Sequence, residues 1–248
     1  CRSYSGSANN IFHPQWGSSD QSFARTPVHQ QSRSISRNLN NPDLPSPRRV
    51  SNAICAQSQS RPNSRKLTDL VWAFGQFLDH TIVLTPDSSG EYANMTTEAT
   101  DPYEQYPNRT IPFQRSIYRL DSNDDRQQIN KISSFIDTTN VYGYSTDRAY
   151  ALRELDGSGK LKTTTSPHGS LLINNKNNLP NANPTHVPPE EQFLSGDIRV
   201  NETFLLISFH TLFTREHNRL CDQVLEEHPD WHEMDELIYQ ESRRRLSG

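Results

Sequence analysis

The stretch WAFGQFLDHTI, residues 72–82, is the most informative part of this sequence. It is apolar enough to form a buried helix, yet it carries Gln76, Asp79 and His80 in its middle. Gln76 and His80 are four residues apart and would share one helix face, with Asp79 about 100° around from His80. The three polar side chains can therefore line one wall of a cavity. The simpler interpretation is a core histidine whose hydrogen bond is satisfied by Asp79. The apolar positions expected to be buried are Trp72, Phe74, Phe77, Leu78 and Ile82.

A second polar group stands in an equally apolar context, GDIRVNETFLLISFHTLFTREHNRL, residues 196–220. It places Asp197, Arg199 and Glu202 at the beginning of an apolar helix, where the helix dipole favours carboxylates and anions. Burying Arg199 and Glu202 three residues apart is costly unless something in the interior needs them. This second group makes a purely structural role for His80 less favoured.

An imidazole and an arginine in a dry pocket suit one kind of chemistry. A neutral histidine can take a proton from hydrogen peroxide and return it to the leaving oxygen. A permanently cationic arginine stabilises the charge that develops as the O–O bond breaks. The remaining oxygen needs a redox metal as acceptor, which indicates a haem.

Four segments together resemble the animal haem peroxidase family, also called the peroxidase–cyclooxygenase superfamily. They are WAFGQFLDH, INKISSFIDTTNVYG, GDIRVNE and FTREHNRL, which follow one another in the family's order within residues 67–220. LPSPRRVSN (44–52) and IPFQRS (111–116) add weaker support. The resemblance implies a mainly α fold, a helical haem-peroxidase domain with long loops and little β structure.

The resemblance also implies a role for each polar residue. His80 matches the distal histidine, the acid–base catalyst, and Gln76 matches the distal glutamine that helps to hold water or halide. Arg199 matches the distal arginine. Asp79 and Glu202 match the two carboxylates that form ester bonds to haem methyl groups. On this view the carboxylate and the imidazole of residues 79 and 80 serve different parts of one flat ligand.

A calcium loop is implied for residues 133–139. Ser133, Phe135 (through its carbonyl), Asp137 and Thr139 would supply oxygen ligands, of which calcium takes six to eight. The family adds an aspartate directly after the distal histidine, where this chain has Thr81. With one carboxylate in place of two, calcium affinity is expected to be reduced. From the residues alone, an ordinary Ser/Thr-rich turn remains open.

Two further departures from the family matter. Thr203 stands where some members carry a methionine that bonds a haem vinyl group, so this chain is more similar to the enzymes with two ester links. The family's proximal histidine, the iron ligand, lies well beyond the REHNRL motif. None of the nine histidines here stands in a matching motif. We therefore expect residues 64–248 to be the distal, N-terminal part of a catalytic domain, preceded by an extended arm at residues 1–63, with the proximal part missing and other domains in the full-length protein.

The composition is consistent with an incomplete core. Hydrophobic residues make up 32% of the 248 residues, and about 36% with glycine, against roughly 45–50% in typical globular chains. The net charge of −4 is too mild to indicate nucleic acid as a partner. The sequence has no run of about 18 apolar residues, so no membrane span is predicted. Sequons at Asn94, Asn108 and Asn201 weakly favour an extracellular or secreted protein.

Periodicity predicts the elements. Helices are expected over residues 67–84, 146–155, 201–227 and 233–246, and the first half of the segment 126–155, which begins with RQQIN, is expected to be a short helix and a loop. A hairpin is expected near 160–175, and residues 85–115 are expected to be loop. The last helix would place Met234, Leu237 and Ile238 on one side.

Three functions follow. The first is a haem peroxidase that reduces hydrogen peroxide and oxidises halide, pseudohalide or small aromatic donors. The second is a haem-dependent fatty-acid dioxygenase of the same superfamily, whose members usually lack the second carboxylate and the full GDIRVNE pattern. The third is a non-catalytic module of adhesion or matrix assembly, against which the intact polar set argues.

Overall fold

The fold is described by a computed structural model that covers residues 2–24, 44–102, 109–182 and 186–248. Its α-helices are α1 (Pro47–Cys55), α2 (Leu70–Ile82), α3 (Thr139–Tyr142), α4 (Thr146–Leu152), α5 (Phe204–Glu227) and α6 (Asp235–Ser247). Its strands are β1 (Gln21–Ser22), β2 (Asp87–Tyr92), β3 (Met95–Thr96), β4 (Thr110–Ile111), β5 (Gln114–Ser116), β6 (Tyr118–Leu120), β7 (Arg126–Asn130), β8 (Thr164–Ser166) and β9 (Gly169–Leu171). Two 3₁₀ turns span Pro189–Glu191 and Pro229–Trp231. Helix exceeds strand, which confirms the mainly α prediction.

The chain forms two compact units. The first consists of Cys1–Gln21, Leu67–Leu84 and Lys131–Gly248, and the second of Ser22–Lys66 and Thr85–Asn130. No helix among the described residues is long and apolar enough to cross a membrane. The predicted arm at 1–63 stays a prediction, since residues 25–43 lie outside the described part.

The first unit is built around α5. Helix α5 packs against α6 and α2, and Phe77 of α2 is the central contact, with its ring 4.7 Å from that of Phe213. Thr203 caps α5 by accepting the Leu206 amide at 3.1 Å, as a threonine at this position commonly does. The buried cluster consists of Phe77, Val141, Tyr142, Leu152, Leu161, Leu194, Leu206 and Tyr239.

The predicted helices of this unit are confirmed, with bounds that differ by a few residues. Ser145 caps α4, with its side chain accepting the Arg148 amide. The hairpin is also confirmed, as β8 paired antiparallel with β9. Ile238 on α6 is buried, whereas Leu237 on the same helix and Met234 just before it are exposed.

One prediction about α2 is wrong. Trp72, Phe74 and Leu78 are 52%, 44% and 37% exposed, while Phe77 is only 3% exposed and Ile82 is half-buried. The helix is apolar on more than one side, and only the side with Phe77 faces α5. The composition of an apolar helix predicts that its side chains are buried. It does not predict which side of the helix packs against another element of the described chain.

The second unit holds α1 and a set of short antiparallel strands. Strand β2 pairs with β5, β3 with β4, and β6 with β7. Two predictions are wrong here, because residues 85–115 contain four strands and 126–130 is strand β7, not a helix. Arg126 explains the second error: its guanidinium stacks 3.8 Å from the Tyr118 ring centroid across the ladder and pairs with Glu91.

Candidate active site

His80 lies in the last turn of α2 and is buried. Its Nδ1 is 2.7 Å from Oδ2 of Asp197, which is also buried. Because an ionised carboxylate only accepts hydrogen bonds, Nδ1 carries the hydrogen and Nε2 of the neutral ring has a free lone pair. Nε2 makes no hydrogen bond to the described residues, and Oε2 of Glu202 stands 3.9 Å from it. The arrangement leaves His80 with an available base nitrogen.

Arg199 is held by the same carboxylate. Its Nε donates to Oδ1 of Asp197 at 2.9 Å, and its Nη2 donates to the His80 carbonyl at 3.2 Å. Burial alone would raise the pKa of Asp197, but the hydrogen bond from His80 and the charge of Arg199 outweigh it and lower that pKa to about 2. Asp197 is therefore ionised at neutral pH and fixes an imidazole and a guanidinium side by side.

Backbone contacts place Asp197 against α2. Asn140 of α3 donates from Nδ2 to the Phe77 carbonyl at 2.8 Å, and its own carbonyl accepts the Asp197 amide at 2.8 Å. Gly196 is essential to this approach, because a Cβ there would stand 2.3 Å from the Gly143 nitrogen. The glycine of GDIRVNE thus lets the Asp197 turn lie directly on α3.

Gln76 and Glu202 form the next part of the cluster. Gln76 donates from Nε2 to Oε2 of Glu202 at 3.0 Å. The Glu202 side chain is 32% exposed. Asp79 is exposed on α2, and its carboxylate has no partner within the described ranges. Four of the five predicted residues therefore come together, and Asp79 stands apart from them.

The simpler interpretation, in which Asp79 is the hydrogen-bond partner of His80, is therefore not what the structure shows. The partner of His80 is Asp197, to which sequence reasoning assigned no role beyond the helix mouth. The signal was present, since Asp197 is a carboxylate two residues before Arg199 in the second polar group. Nothing in the sequence around His80 shows that its hydrogen-bond partner is Asp197, 117 positions away, and not the adjacent Asp79.

The segment predicted to bind calcium is a compact turn in which Ser133, Asp137 and Thr139 are buried. Ser133 Oγ donates to Oδ2 of Asp137 at 2.8 Å, and the Thr139 amide donates to Oδ1 at 3.2 Å. Thr139 Oγ1 donates to the Thr81 carbonyl at 2.9 Å. Burial raises the pKa of Asp137, although hydrogen bonds from Ser133 and Thr139 oppose the shift. Both carboxylate oxygens are thus already engaged by protein donors.

Positive charge also lies close to this turn. Arg2, Arg243 and Arg244 line the same small cleft as Asp137, and Arg2 donates to the Ile136 carbonyl at 3.2 Å. In the described part of the chain, no group of three or more His, Cys, Asp or Glu side chains is placed to hold a metal ion. The residues present fit a calcium ion poorly.

Two other histidines of the first unit are fully buried. His210 shares a hydrogen bond between Nδ1 and Ser195 Oγ at 2.8 Å, and its ring stands edge-on to Phe77. His217 contacts the Tyr142 hydroxyl at 2.8 Å. Burial lowers the pKa of each imidazole to about 4. Both rings pack against aromatic side chains and make hydrogen bonds in the core.

Comparison with known proteins identifies the family. The family model described as animal haem peroxidase matches residues 1–248. The peroxidasin homolog pxn-2 of Caenorhabditis elegans is 30% identical over 310 residues, covering 100% of this chain and 22% of the relative. The chain belongs to the animal haem peroxidase family.

Solved structures agree with this fold. Peroxidase A from Dictyostelium discoideum matches with a TM-score of 0.83 and 29% identity, over 99% of this chain and 50% of that structure. A fatty acid alpha-dioxygenase from Arabidopsis thaliana matches with a TM-score of 0.74 at 21% identity, over 99% of this chain and 34% of that structure, which shows the fold alone. The chain spans half or less of the length of each of these proteins.

Proposed function

We propose that the full-length protein carrying this chain is a haem peroxidase that reduces hydrogen peroxide and oxidises small anionic or aromatic donors. The observation that carries the proposal is the double use of Asp197, which binds Nδ1 of His80 and Nε of Arg199 at 2.7 and 2.9 Å. This arrangement leaves a base nitrogen and a cation next to each other.

The donor set fits a haem. Gln76, His80 and Arg199 supply an amide, a base and a cation, which would suit the binding and cleavage of a peroxide at a haem. Glu202 is a partly exposed carboxylate of the cluster and Asp79 is an exposed carboxylate outside it, and both would hold the haem. The haem would supply a redox-active iron that accepts one peroxide oxygen.

The protein side chains would then move the protons. Nε2 of His80 accepts a proton from hydrogen peroxide and delivers it to the departing oxygen, which leaves as water. Asp197 keeps Nδ1 protonated and stabilises the imidazolium formed in between. Arg199 stabilises negative charge on the departing oxygen. Gln76 orients the peroxide, or a halide, beside His80.

We further propose that Asp79 and Glu202 become ester-linked to the haem after exposure to hydrogen peroxide. The free carboxylate of Asp79 and the partly exposed carboxylate of Glu202 support this. Acid–acetone extraction of the peroxide-treated protein should leave the haem on the polypeptide. If all the haem is extracted as a free molecule, then neither Asp79 nor Glu202 forms an ester bond to it.

We propose only weak calcium binding, with oxygen ligands from Ser133, Phe135, Asp137 and Thr139 and with Thr81 beside them. A bound ion would have to displace the hydrogen bond between Ser133 and Asp137 and approach three arginines. Thr81 supplies no second carboxylate to offset this cost.

The remaining expectations are also proposals. We expect that none of the nine histidines of this chain is the axial iron ligand, so these 248 residues alone should have no peroxidase activity. An extracellular location is supported by the exposed sequon Asn94. Asn201 gives no such support, because its side-chain amide both accepts from the Phe193 amide and donates to the Phe193 carbonyl. The sequon at Asn108 lies outside the described residues.

A comparison of substrates tests the function. The haem-loaded, full-length protein would be given iodide or bromide with hydrogen peroxide, and linoleate with oxygen, each measured against free haem. Halide oxidation well above free haem, with no oxygen uptake on linoleate, is expected. Oxygen uptake on linoleate alone would establish the dioxygenase instead. A protein that shows no haem absorption would be the non-catalytic module.

A further inference from the structure

A second network of polar side chains lies in the core of the first unit, around Tyr142 and His217. Both side chains are inaccessible to solvent. The Tyr142 hydroxyl is 2.8 Å from Nδ1 of His217, and Nε2 of His217 is 3.0 Å from the Gly159 carbonyl. Because a carbonyl only accepts, Nε2 carries the hydrogen, and Nδ1 is the acceptor of the phenolic proton. The pair is a phenol hydrogen-bonded to a base.

Both partners are neutral at pH 7. Burial lowers the pKa of His217 to about 4 and raises the pKa of Tyr142 well above its usual value. A neutral phenol loses an electron readily only when its proton leaves at the same time, because the phenol radical cation is a very strong acid. The imidazole of His217 can take that proton with almost no movement. The neighbouring Cys221 thiol does not compete with Tyr142 as the electron donor, because burial raises the pKa of the thiol to about 11 and keeps it protonated.

Tyr142 is also joined to the candidate active site by a short path. It lies on α3 two residues after Asn140, whose carbonyl accepts the Asp197 amide and whose side chain donates to the Phe77 carbonyl. Asp197 in turn binds His80. Two hydrogen bonds, together with the backbone from residue 142 to residue 140 and the Asp197 side chain, therefore connect the Tyr142 segment with the catalytic histidine.

We propose that Tyr142 and His217 form a one-electron redox site that accepts oxidising equivalents from the haem when no donor is bound. The inference rests on the proposed peroxidase function, which supplies the oxidant as haem oxidised by hydrogen peroxide. Tyr142 gives one electron to the oxidised haem and its phenolic proton to Nδ1 of His217. The products are a neutral phenoxyl radical, an imidazolium and a haem reduced by one electron. A donor electron and return of the proton restore the pair.

Tyr239 is a matched control within the same core. It is equally buried, and its ring lies 5.7 Å from that of Tyr142. Its hydroxyl accepts from Tyr4 at 3.3 Å and contacts no base among the described residues. The Arg153 guanidinium lies 3.9 Å from the Tyr239 ring centroid, closer than the 5.5 Å between the Arg243 guanidinium and the Tyr142 ring centroid, and a cation over a ring opposes removal of an electron. Tyr239 should therefore not hold the radical.

The experiment uses the full-length, haem-loaded protein with ring-deuterated tyrosine, frozen within milliseconds of adding one equivalent of hydrogen peroxide without donor. Electron paramagnetic resonance reports the tyrosyl radical, and Soret absorption reports the haem in the same samples. Wild type and Tyr239→Phe should give the radical, and Tyr142→Phe should lower its yield at least tenfold. All three proteins should show the same rate of Soret change. A variant with a merely structural defect would show a changed rate.

Other results separate the two claims. A normal Soret change with an undiminished radical in Tyr142→Phe would overturn the redox site and leave the peroxidase function standing. No Soret change in wild type would instead contradict the peroxidase function. In that case a flash-generated ruthenium(III) tris-bipyridine oxidant, applied to the same three proteins, decides the redox site. Loss of a tyrosyl signal in Tyr142→Phe alone supports it, and equal signals in all three proteins overturn it.

Discussion

His80 binds Asp197, 117 residues further along the chain, at 2.7 Å, and not Asp79 beside it. The same carboxylate holds Arg199, so one buried charge positions two groups proposed for catalysis. Asp79 is exposed on α2 and has no partner among the residues that the structure describes. We propose separate roles for the two acidic side chains, with Asp197 in positioning and Asp79 in ligand attachment.

Asp197→Asn should weaken the site and the fold together. The amide cannot balance the charge of Arg199, and breaking a buried ion pair costs about 3 kcal/mol. Urea denaturation of the haem-free protein measures this. Asp79→Asn is the matched control, expected within about 0.5 kcal/mol of wild type because it is exposed. Equal losses for both variants would mean that Asp197 is not the anchor.

Gly196→Ala should be severely destabilising, by about 3 kcal/mol or more, because its Cβ would overlap backbone atoms of α3 and the following residue. Gly75→Ala offers the contrast. Gly75 is in the interior of α2, and a Cβ there meets nothing within 4 Å. Alanine should therefore stabilise the helix by roughly 0.5–1 kcal/mol. Thermal melts of both variants measure the difference, and a tolerated alanine at position 196 would contradict the close approach.

Thr81→Asp should convert the turn at 133–139 into a stronger calcium site. Without calcium the buried charge should cost about 1–3 kcal/mol, and millimolar calcium should restore the melting temperature. Thr214→Asp, equally buried but on α5, should lose stability with no rescue by calcium. If wild type responds to calcium as strongly as Thr81→Asp, then the site needs no second carboxylate.

Stability should fall as the pH is lowered from about 6.5 towards 4. His210 and His217 have folded pKa values of about 4, below that of an unfolded histidine, so the unfolded chain binds more protons in this window. Each contributes a slope of roughly 1.4 kcal/mol per pH unit. Urea midpoints between pH 7 and 5 should show a smaller slope for His217→Gln. The exposed His168→Gln should keep the wild-type slope, and a flat wild-type profile would contradict the burial of both rings.

Local patterns predicted much of the fold. The apolar spacing of α5 and the cap at Ser145 are properties of neighbouring residues, so they can be recognised in sequence. The strands between residues 85 and 130 could not be predicted, because their stability depends on partners across a ladder, such as Arg126 on Tyr118. The exposure of Trp72 on α2 could not be predicted for a related reason, because composition does not show which side of an apolar helix packs against another element.

The candidate site was predictable as a set of residue types but not as a geometry. Gln76, His80, Arg199 and Glu202 were chosen from two motifs, and they lie together. The contact that orders them, from Asp197 to His80, depends on Gly196 and Asn140 bringing the motifs within hydrogen-bonding distance. That distance is a tertiary property, and only the structure supplies it.

The most direct test of the central claim is the rate at which hydrogen peroxide changes the Soret band of the haem-loaded, full-length protein, followed by stopped flow. His80→Ala should slow this step by roughly 10²–10⁴-fold, since a positioned acid–base group contributes that much. Arg199→Ala should also slow it, while the exposed His168→Ala should match wild type. A His80→Ala protein that binds haem normally and reacts at the wild-type rate would contradict the assignment of His80 as the acid–base catalyst.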